Sequence, residues 1–116
     1  MTTVTFHSAQ RRIDGFAVEG HSGYAEEGSD IVCAAISGVV GVTECTINDV
    51  LGLAAAVKAE DGYMSLKLPG GLGQANERTC QDLLTGMMVY LQALSEEYPE
   101  NLIVRLEDDD DDDEEE

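Results

Sequence analysis

Asp61 and Gly62 separate two short runs whose residues are typical of β-strands. The first run is Ala55–Glu60 and the second is Tyr63–Leu68. An Asp-Gly pair tolerates the positive φ values that a two-residue hairpin turn requires. The sequence therefore predicts a β-hairpin at this point, followed by a glycine-rich loop over Pro69–Gly73.

A second hairpin is predicted at the N-terminus. Val4–Ser8 and Phe16–Glu19 alternate apolar with polar residues at a period of two, which is the pattern of half-buried strands. The residues between them supply the expected turn, namely Arg11, Arg12, Asp14 and Gly15. A short final strand is predicted over Leu102–Leu106.

Asp30 is a good helix N-cap, and apolar residues after it wrap most of the way around a helix. This helix is expected to run to about Asn48 or Asp49 and to be largely buried. Gly38 and Gly41 weaken a helix by about 1 kcal/mol each relative to alanine, so we expect another element to pack closely against them. The apolar positions are Ile31, Val32, Ala35, Ile36, Val39, Val40 and Val42.

A second helix is predicted from Asn76, its expected cap, to a position before Pro99. One face of this helix is apolar, and Glu77, Glu96 and Glu97 are expected to face solvent. The order ββαββαβ predicts an α/β (α+β) domain over residues 1–106, with one mixed or antiparallel sheet and two main helices packed on it. The apolar face consists of Leu83, Leu84, Met87, Met88, Leu91 and Leu94.

The charge of the chain is strongly negative, with 24 acidic residues against 6 Lys and Arg residues and a formal net charge of −18. The last ten residues, 107–116, are all acidic and are predicted to form a disordered tail. Phosphate contacts need Lys and Arg, so direct binding of nucleic acid is not expected. A basic protein or peptide is the better electrostatic partner.

No membrane segment and no cofactor are predicted. The N-terminus lacks a basic leader followed by a long apolar run, and Ile31–Val42 is too short to span a bilayer, so a cytoplasmic location is expected. Cys33, Cys45 and Cys80 are widely spaced and fit neither a disulfide framework nor a paired Cys-x-x-Cys metal site. We therefore expect reduced thiols and no bound metal.

His21 and Cys33 are the residues with catalytic potential. His21 ends the second predicted strand, and Cys33 lies three residues after the expected cap Asp30, where the first turn of a helix favours a thiolate. The eleven residues between them are enough for the chain to turn and bring both side chains together. A Cys and His pair within hydrogen-bond reach can cleave peptide bonds. A structural cysteine and a loop histidine are the alternative.

The residues around this pair resemble a known signature. Gly20–Tyr24, Gly28 and Asp30–Ser37 closely resemble the motif of the ribosomal-processing cysteine protease family, and the likeness extends over roughly residues 2–106. It implies a cytoplasmic, homodimeric peptidase that removes a short N-terminal extension from large-subunit ribosomal protein twenty-seven.

The resemblance also assigns roles to single residues. His21 matches the family's general base and Cys33 its nucleophile, while the other matching positions are expected to support the pair or contact substrate. Oxyanion donors are expected from the first helical turn at or before Cys33. The supporting positions are Gly20, Ser22, Gly23, Tyr24, Asp30 and Ser37.

Other readings of the same residues remain open. Gly23 and Gly28 are candidate hinges of a lid that carries Tyr24 over a bound peptide. The acidic tail departs from the family pattern and either attracts basic substrates or serves as a solubilising appendage. The chain as a whole could instead be an acidic module that binds basic ribosomal proteins without cutting them, or, less favourably, a thiol redox sensor. Roles for His7, Cys45 and Cys80 in catalysis are not expected.

Overall fold

The computed structural model describes the backbone of residues 1–20 and 27–109, and the side chains of residues 1–20 and 31–109. Five strands form a single sheet in the order β3-β4-β2-β1-β5. The predicted order ββαββαβ is confirmed, with one π-helical segment added after the first helix. The elements are β1 (Thr2–Ala9), β2 (Arg12–Glu19), α1 (Glu27–Glu44), the π segment (Cys45–Val50), β3 (Ala56–Glu60), β4 (Tyr63–Lys67), α2 (Gln74–Glu97) and β5 (Leu102–Asp108).

The N-terminal hairpin is longer than predicted, and its turn lies elsewhere. Gln10 and Arg11 both have positive φ, at 56° and 65°, and form the two-residue turn. Arg12, Asp14 and Gly15, which were predicted to lie in the turn, belong to β2 instead. The prediction was wrong because Asp and Gly are common turn residues, whereas here they form a β-bulge in which the register shifts by one residue.

The sheet is mixed, as predicted. Strand β5 runs parallel to β1, and the other neighbouring strands are antiparallel. Strand β5 also continues past Leu106, and Glu107 and Asp108 pair with His7 and Ser8 of β1. The first two residues of the predicted tail therefore belong to the sheet, whereas residues 110–116 lie outside the described part of the chain.

The second hairpin matches its prediction. Strands β3 and β4 pair around Asp61 and Gly62, and Gly62 has the positive φ of 79° that this turn requires. One face of the sheet carries the core residues and packs against the helices, and we call the opposite face the open face. The buried side chains of the core face include Val4, Phe6, Phe16 and Leu66.

Helix α1 begins at Glu27, three residues before the predicted start, so Asp30 lies inside the helix and is not its N-cap. Helical structure continues through the π segment to Val50. By length and composition alone, Ile31–Val50 is long enough and apolar enough to cross a membrane, although core helices pass the same test. The predicted end of the helix, at about Asn48 or Asp49, is therefore correct to within two residues, whereas the apolar stretch, which was expected to end at Val42, is longer than predicted.

This helix is less buried than predicted. Only 22% of its most apolar stretch is buried within the chain, and Ile31, Val42 and Val50 are at least half exposed. Among the described residues, a Cβ atom added at Gly38 or Gly41 would meet no atom within 4 Å. Contrary to the prediction, no element in this part of the chain packs closely against the two glycines, because this side of α1 faces outward.

Helix α2 begins at Gln74, two residues before the predicted cap. Gly73 occupies the N-cap position, and the Asn76 side chain instead donates a long hydrogen bond to the carbonyl of Leu72 at 3.4 Å. Its apolar face is buried as predicted against the core face of the sheet. The buried residues of this helix are Cys80, Leu84, Met87, Leu91 and Leu94.

Polar contacts fasten α2 to the start of β2. The side chain of Gln81 accepts a hydrogen bond from the Ile13 amide and donates one to the Ile13 carbonyl, each at 2.8 Å. One turn earlier, Glu77 accepts from Arg12 Nε at 2.7 Å, and Arg12 also donates to the Pro69 carbonyl. Glu77 was predicted to face solvent. Its carboxylate instead pairs with Arg12 of β2.

Candidate active site

Cys33 is partly buried on α1, between two residues that anchor the helix in the core. Val32 and Ile36 are almost completely buried against the sheet and α2, so the helix backbone at Cys33 is held firmly. The thiol itself keeps partial access to solvent. A nucleophile needs this combination, because it must be fixed in place and yet reachable by a substrate.

The helix start at Glu27 changes the electrostatic argument for this thiol. The free backbone N–H groups of a helix belong to its first four residues, which here are residues 27–30. Cys33 is the seventh helical residue and lies in the second turn. The expectation that Cys33 lies in the first turn is therefore wrong. The free N–H groups that were expected at or just before Cys33, as donors to a thiolate or an oxyanion, belong instead to the turn before it.

Ser37 lies four residues after Cys33 and is exposed on the same side of α1. The two side chains therefore follow each other along one helical face. Asp30 precedes Cys33 by three residues in the same helix, and its side chain lies outside the described part of the structure.

His21, Ser22, Gly23 and Tyr24 lie outside the described residues, as do the remaining positions of the loop up to residue 26. Whether His21 approaches Cys33 therefore stays a prediction, and so does the proposed lid.

Gly20, the residue before His21, is described and tightly held. Its φ is +82°, a value that favours glycine, and its amide donates a hydrogen bond to the carbonyl of Gly62 at 2.8 Å. The last described residue before the loop is therefore tied to the turn of the second hairpin.

The other two cysteines occupy different surroundings. Cys45 is exposed in the π segment, and Cys80 is completely buried in α2. Burial raises the pKa of the Cys80 thiol, nearby Glu77 raises it further, and Arg12 partly opposes both effects. A protonated, inaccessible thiol is a poor nucleophile, so Cys80 is a core residue.

His7 lies on the open face of the sheet, opposite the face against which α1 packs. Its Nδ1 atom is 3.4 Å from the carboxylate of Glu107 on β5. The sequence interpretation missed this contact, because it assigned Glu107 to the tail. Within residues 1–20 and 27–109, no group of three or more His, Cys, Asp and Glu side chains could hold a metal ion.

A shallow groove of about 310 Å³ also lies on the open face, and sequence reasoning did not predict it. Gly15, which has no side chain, and Ala17, which has only a methyl group, leave space between the longer side chains on either side. The core face, against which α1 packs, is the opposite side of the sheet, so the groove is separate from Cys33. Its polar lining residues are His7, Asp14, Tyr63, Ser65, Lys67 and Asp109.

Comparison with known proteins gives one family. A model of the cysteine protease Prp family matches residues 1–103. The ribosomal processing cysteine protease Prp of Bacillus subtilis (strain 168) is 32% identical over 102 residues, which cover 84% of this chain and 88% of that protein.

Solved structures agree with this result. The fold is similar to SMU.848 from Streptococcus mutans, with a TM-score of 0.81, 23% identity and coverage of 93% of this chain and 95% of that chain. It is also similar to the ribosomal processing protease Prp from S. aureus in complex with a substrate peptide, with a TM-score of 0.79, 25% identity and coverage of 92% and 100%. The chain therefore belongs to the Prp family and is a cysteine protease.

Proposed function

We propose that this protease removes an N-terminal extension from large-subunit ribosomal protein twenty-seven and so supports ribosome assembly. The observation that carries the proposal is the match of the Prp family over residues 1–103, which include both His21 and Cys33. The Bacillus subtilis relative is a ribosomal processing protease, and the S. aureus relative was crystallised with a substrate peptide and with a covalently linked product peptide.

In the proposed mechanism, Cys33 is the nucleophile and His21 the general base. His21 takes the thiol proton as Sγ attacks the scissile carbonyl, and then gives that proton to the leaving amine. The acyl group stays on Sγ as a thioester until water, deprotonated by His21, attacks it and releases the thiol. Asp30 and Ser37 are proposed to support this pair from the same helix, and Gly20, Ser22, Gly23 and Tyr24 from the preceding segment.

The described cysteines differ in their fitness for this role. Cys33 is held by buried neighbours and remains partly accessible, whereas Cys80 has no exposed surface. Cys45 is accessible but lies twelve residues after Cys33, or about 18 Å along the helical axis at 1.5 Å per residue. Cys33 is therefore the thiol that combines fixation with access.

The test uses Cys33→Ala and His21→Ala, with Cys45→Ala as the matched control. Each purified variant is incubated with the full-length ribosomal protein, and the substrate's N-terminus is read by mass spectrometry. We expect the first two variants to lose at least about 1,000-fold in cleavage rate, because dyad members act as a unit, and the control to retain activity. Cleavage by either dyad variant at the original rate would refute the proposal.

For the ribosomal protein in particular, binding without cleavage is the alternative hypothesis, and one observation favours it. The chain carries 24 acidic residues, so it attracts basic ribosomal proteins whether or not it cuts them. In the same experiment this alternative predicts a complex in which the substrate keeps its original N-terminus. The shortage of Lys and Arg also favours a protein substrate over nucleic acid. A ribosomal protein as substrate supports the proposal that the enzyme acts in the cytoplasm.

We further propose that the enzyme is a homodimer that covers the outward face of its helices. Ile31, Val42, Val89 and Tyr90 are large apolar residues that are at least 46% exposed on α1 and α2. Beside them, Gly38 and its neighbours leave room for a second helix to approach closely. A second copy of the chain presents the same apolar helices and thereby supplies a matching surface.

Light scattering coupled to size-exclusion chromatography tests the dimer. We expect Val42→Glu to produce monomers, because it places a charge among the exposed apolar residues of α1 that the second copy would bury. Val57→Glu, which alters an exposed valine on the edge strand β3, is the control and should leave the dimer intact. A monomeric unaltered chain would contradict the proposal, and binding of that chain to lipid vesicles would assign the apolar face to a membrane instead.

A further inference from the structure

The chain leaves β2 at Gly20, which lies between the turn of the second hairpin and the start of β1. Pairing of β2 with β4 ends at Glu19 and Tyr63, and the hydrogen bond from the Gly20 amide to the Gly62 carbonyl extends it by one step into the hairpin turn. The turn residue Gly62 has a φ of 79°, and Gly20 has a φ of 82°. Both glycines therefore adopt conformations that other residues rarely reach.

The start of β1 holds Gly20 from the other side. The hydroxyl of Thr2 donates a hydrogen bond to the Gly20 carbonyl at 3.3 Å, and a Cβ atom on Gly20 would lie only 2.8 Å from the carbonyl oxygen of Met1. Thr2 is itself fixed, because it is 4% exposed and its amide donates to the Asn101 carbonyl at 2.9 Å. Gly20 thus has both its amide and its carbonyl bonded and lacks room for a side chain.

We propose that Thr2, Gly20 and Gly62 act as positioning residues for His21, and we call these three residues the clamp. This inference rests on the proposed function, in which His21 is the general base. Because His21 is bonded directly to Gly20, the backbone angles of Gly20 set the point and the direction from which the chain continues to His21. The clamp fixes those angles through contacts with β1 and the second hairpin, and this constraint on the backbone is the proposed positioning effect.

If the clamp positions the base, kcat should depend on the backbone conformation of Gly20. A misplacement of about 1 Å at a catalytic group can reduce the rate about 100-fold. Residues that only orient the base do not change how substrate binds in the ground state. Loosening the clamp should therefore lower kcat and leave KM unchanged.

The first test compares Gly20→Ala with Gly71→Ala. Both glycines have positive φ, at 82° and 68°, so both substitutions strain the backbone in the same way. Only the variant at Gly20 also forces a side chain against Met1, because a Cβ at Gly71 meets no atom within 4 Å. We expect Gly20→Ala to lower kcat about 100-fold at constant KM, and Gly71→Ala to retain the original kcat.

The second test uses Thr2, so that a failure of Gly20→Ala to fold does not remove the evidence. Thr2→Val keeps the shape of the side chain and removes its hydroxyl, whereas Thr2→Ser keeps the hydroxyl. We expect kcat to fall in the valine variant and to be restored in the serine variant. If Thr2 only stabilised the fold, kcat would not depend on whether residue 2 carries a hydroxyl group.

A third measurement does not depend on turnover. Iodoacetamide labelling of Cys33 is followed by peptide mass spectrometry, with exposed Cys45 as the internal reference. An imidazole close to the thiol promotes its reaction, so Gly20→Ala and His21→Ala should slow labelling of Cys33 to a similar extent, while Cys45 reacts as before. Gly71→Ala should label like the unaltered chain.

The outcomes separate the clamp from the proposed function. If His21→Ala abolishes cleavage but Gly20→Ala and Gly71→Ala have the same kcat, the clamp is overturned and the catalytic role of His21 stands. A change in KM alone in Gly20→Ala also overturns the clamp. If His21→Ala cleaves the substrate normally, the proposed function fails, and the clamp fails with it.

Discussion

Gln81 bonds to the backbone of Ile13 beside the β-bulge at the start of β2. Its substitution should lower the free energy of unfolding. Its amide group bonds to both the N–H and the C=O of Ile13, each at 2.8 Å. Substitution by methionine keeps the length of the side chain and removes both hydrogen bonds. Ile13 is 9% exposed, so water replaces the lost partners only in part. At about 1 kcal/mol for each bond, we expect a loss of about 2 kcal/mol in the free energy of unfolding.

The measurement is urea-induced unfolding of Gln81→Met and of the unaltered chain. The midpoint should fall while the m-value stays constant, because the surface exposed on unfolding does not change. In thermal unfolding, the same loss corresponds to a decrease in Tm of about 10 °C for a domain of this size. Gln92→Met, at an exposed position of the same helix, is the control and should change stability by less than about 0.5 kcal/mol.

A loss smaller than about 0.5 kcal/mol in Gln81→Met would refute this reasoning, since it would show that solvent satisfies the Ile13 backbone as well as the amide does. Protease activity gives a second check. Gln81 contacts the start of β2, whereas Gly20 follows its end, so kcat should be retained by the folded variant.

Two further predictions concern the same junction. Arg12→Lys should lose about 1 kcal/mol of stability, because Arg12 bonds Glu77 through Nε and the Pro69 carbonyl through Nη2, and the single nitrogen of lysine cannot occupy both positions. Urea unfolding should show that this loss becomes smaller as salt is added, since the pair is partly exposed. Burial and Glu77 raise the pKa of Cys80 above its ordinary value of 9.0, so folding favours the protonated thiol. The contribution of this thiol to the free energy of unfolding should therefore be fully present below pH 9.0 and should decrease as the pH rises above it. Urea midpoints measured on both sides of this pH should decrease less in Cys80→Ala than in the unaltered chain. An equal decrease in both proteins would contradict the argument.

The local pattern of the sequence was sufficient for most elements of the fold. Asp61 and Gly62 predicted the second hairpin, because the turn conformation depends on the two residues themselves. The apolar period of α2 predicted its buried face for the same reason. Errors occurred where a local signal had two meanings. Asp14 and Gly15 suit a turn as well as a bulge, and Asp30 suits a helix interior as well as an N-cap.

At the candidate active site, too, the sequence predicted some features and not others. The motif around His21 and Cys33 predicted the family, which is confirmed, and hence the class of reaction. It could not show that α1 begins at Glu27, which removes the helix N-terminus from Cys33. Nor could it show that the Gly20 amide donates to the Gly62 carbonyl and that the Thr2 hydroxyl donates to the Gly20 carbonyl, because these bonds join residues far apart in the chain.

By itself, the order of residues determined the type, the order and the approximate positions of the strands and helices, the family and the two residues proposed for catalysis, since these depend on neighbours in the chain. The tertiary structure alone decided that β5 pairs in parallel with β1, that Glu77 and Gln81 bond to β2, and that much of α1 faces outward. The physical reason is that these features depend on which distant surfaces bury one another, and the total free energy of packing selects among arrangements that satisfy each local preference equally well.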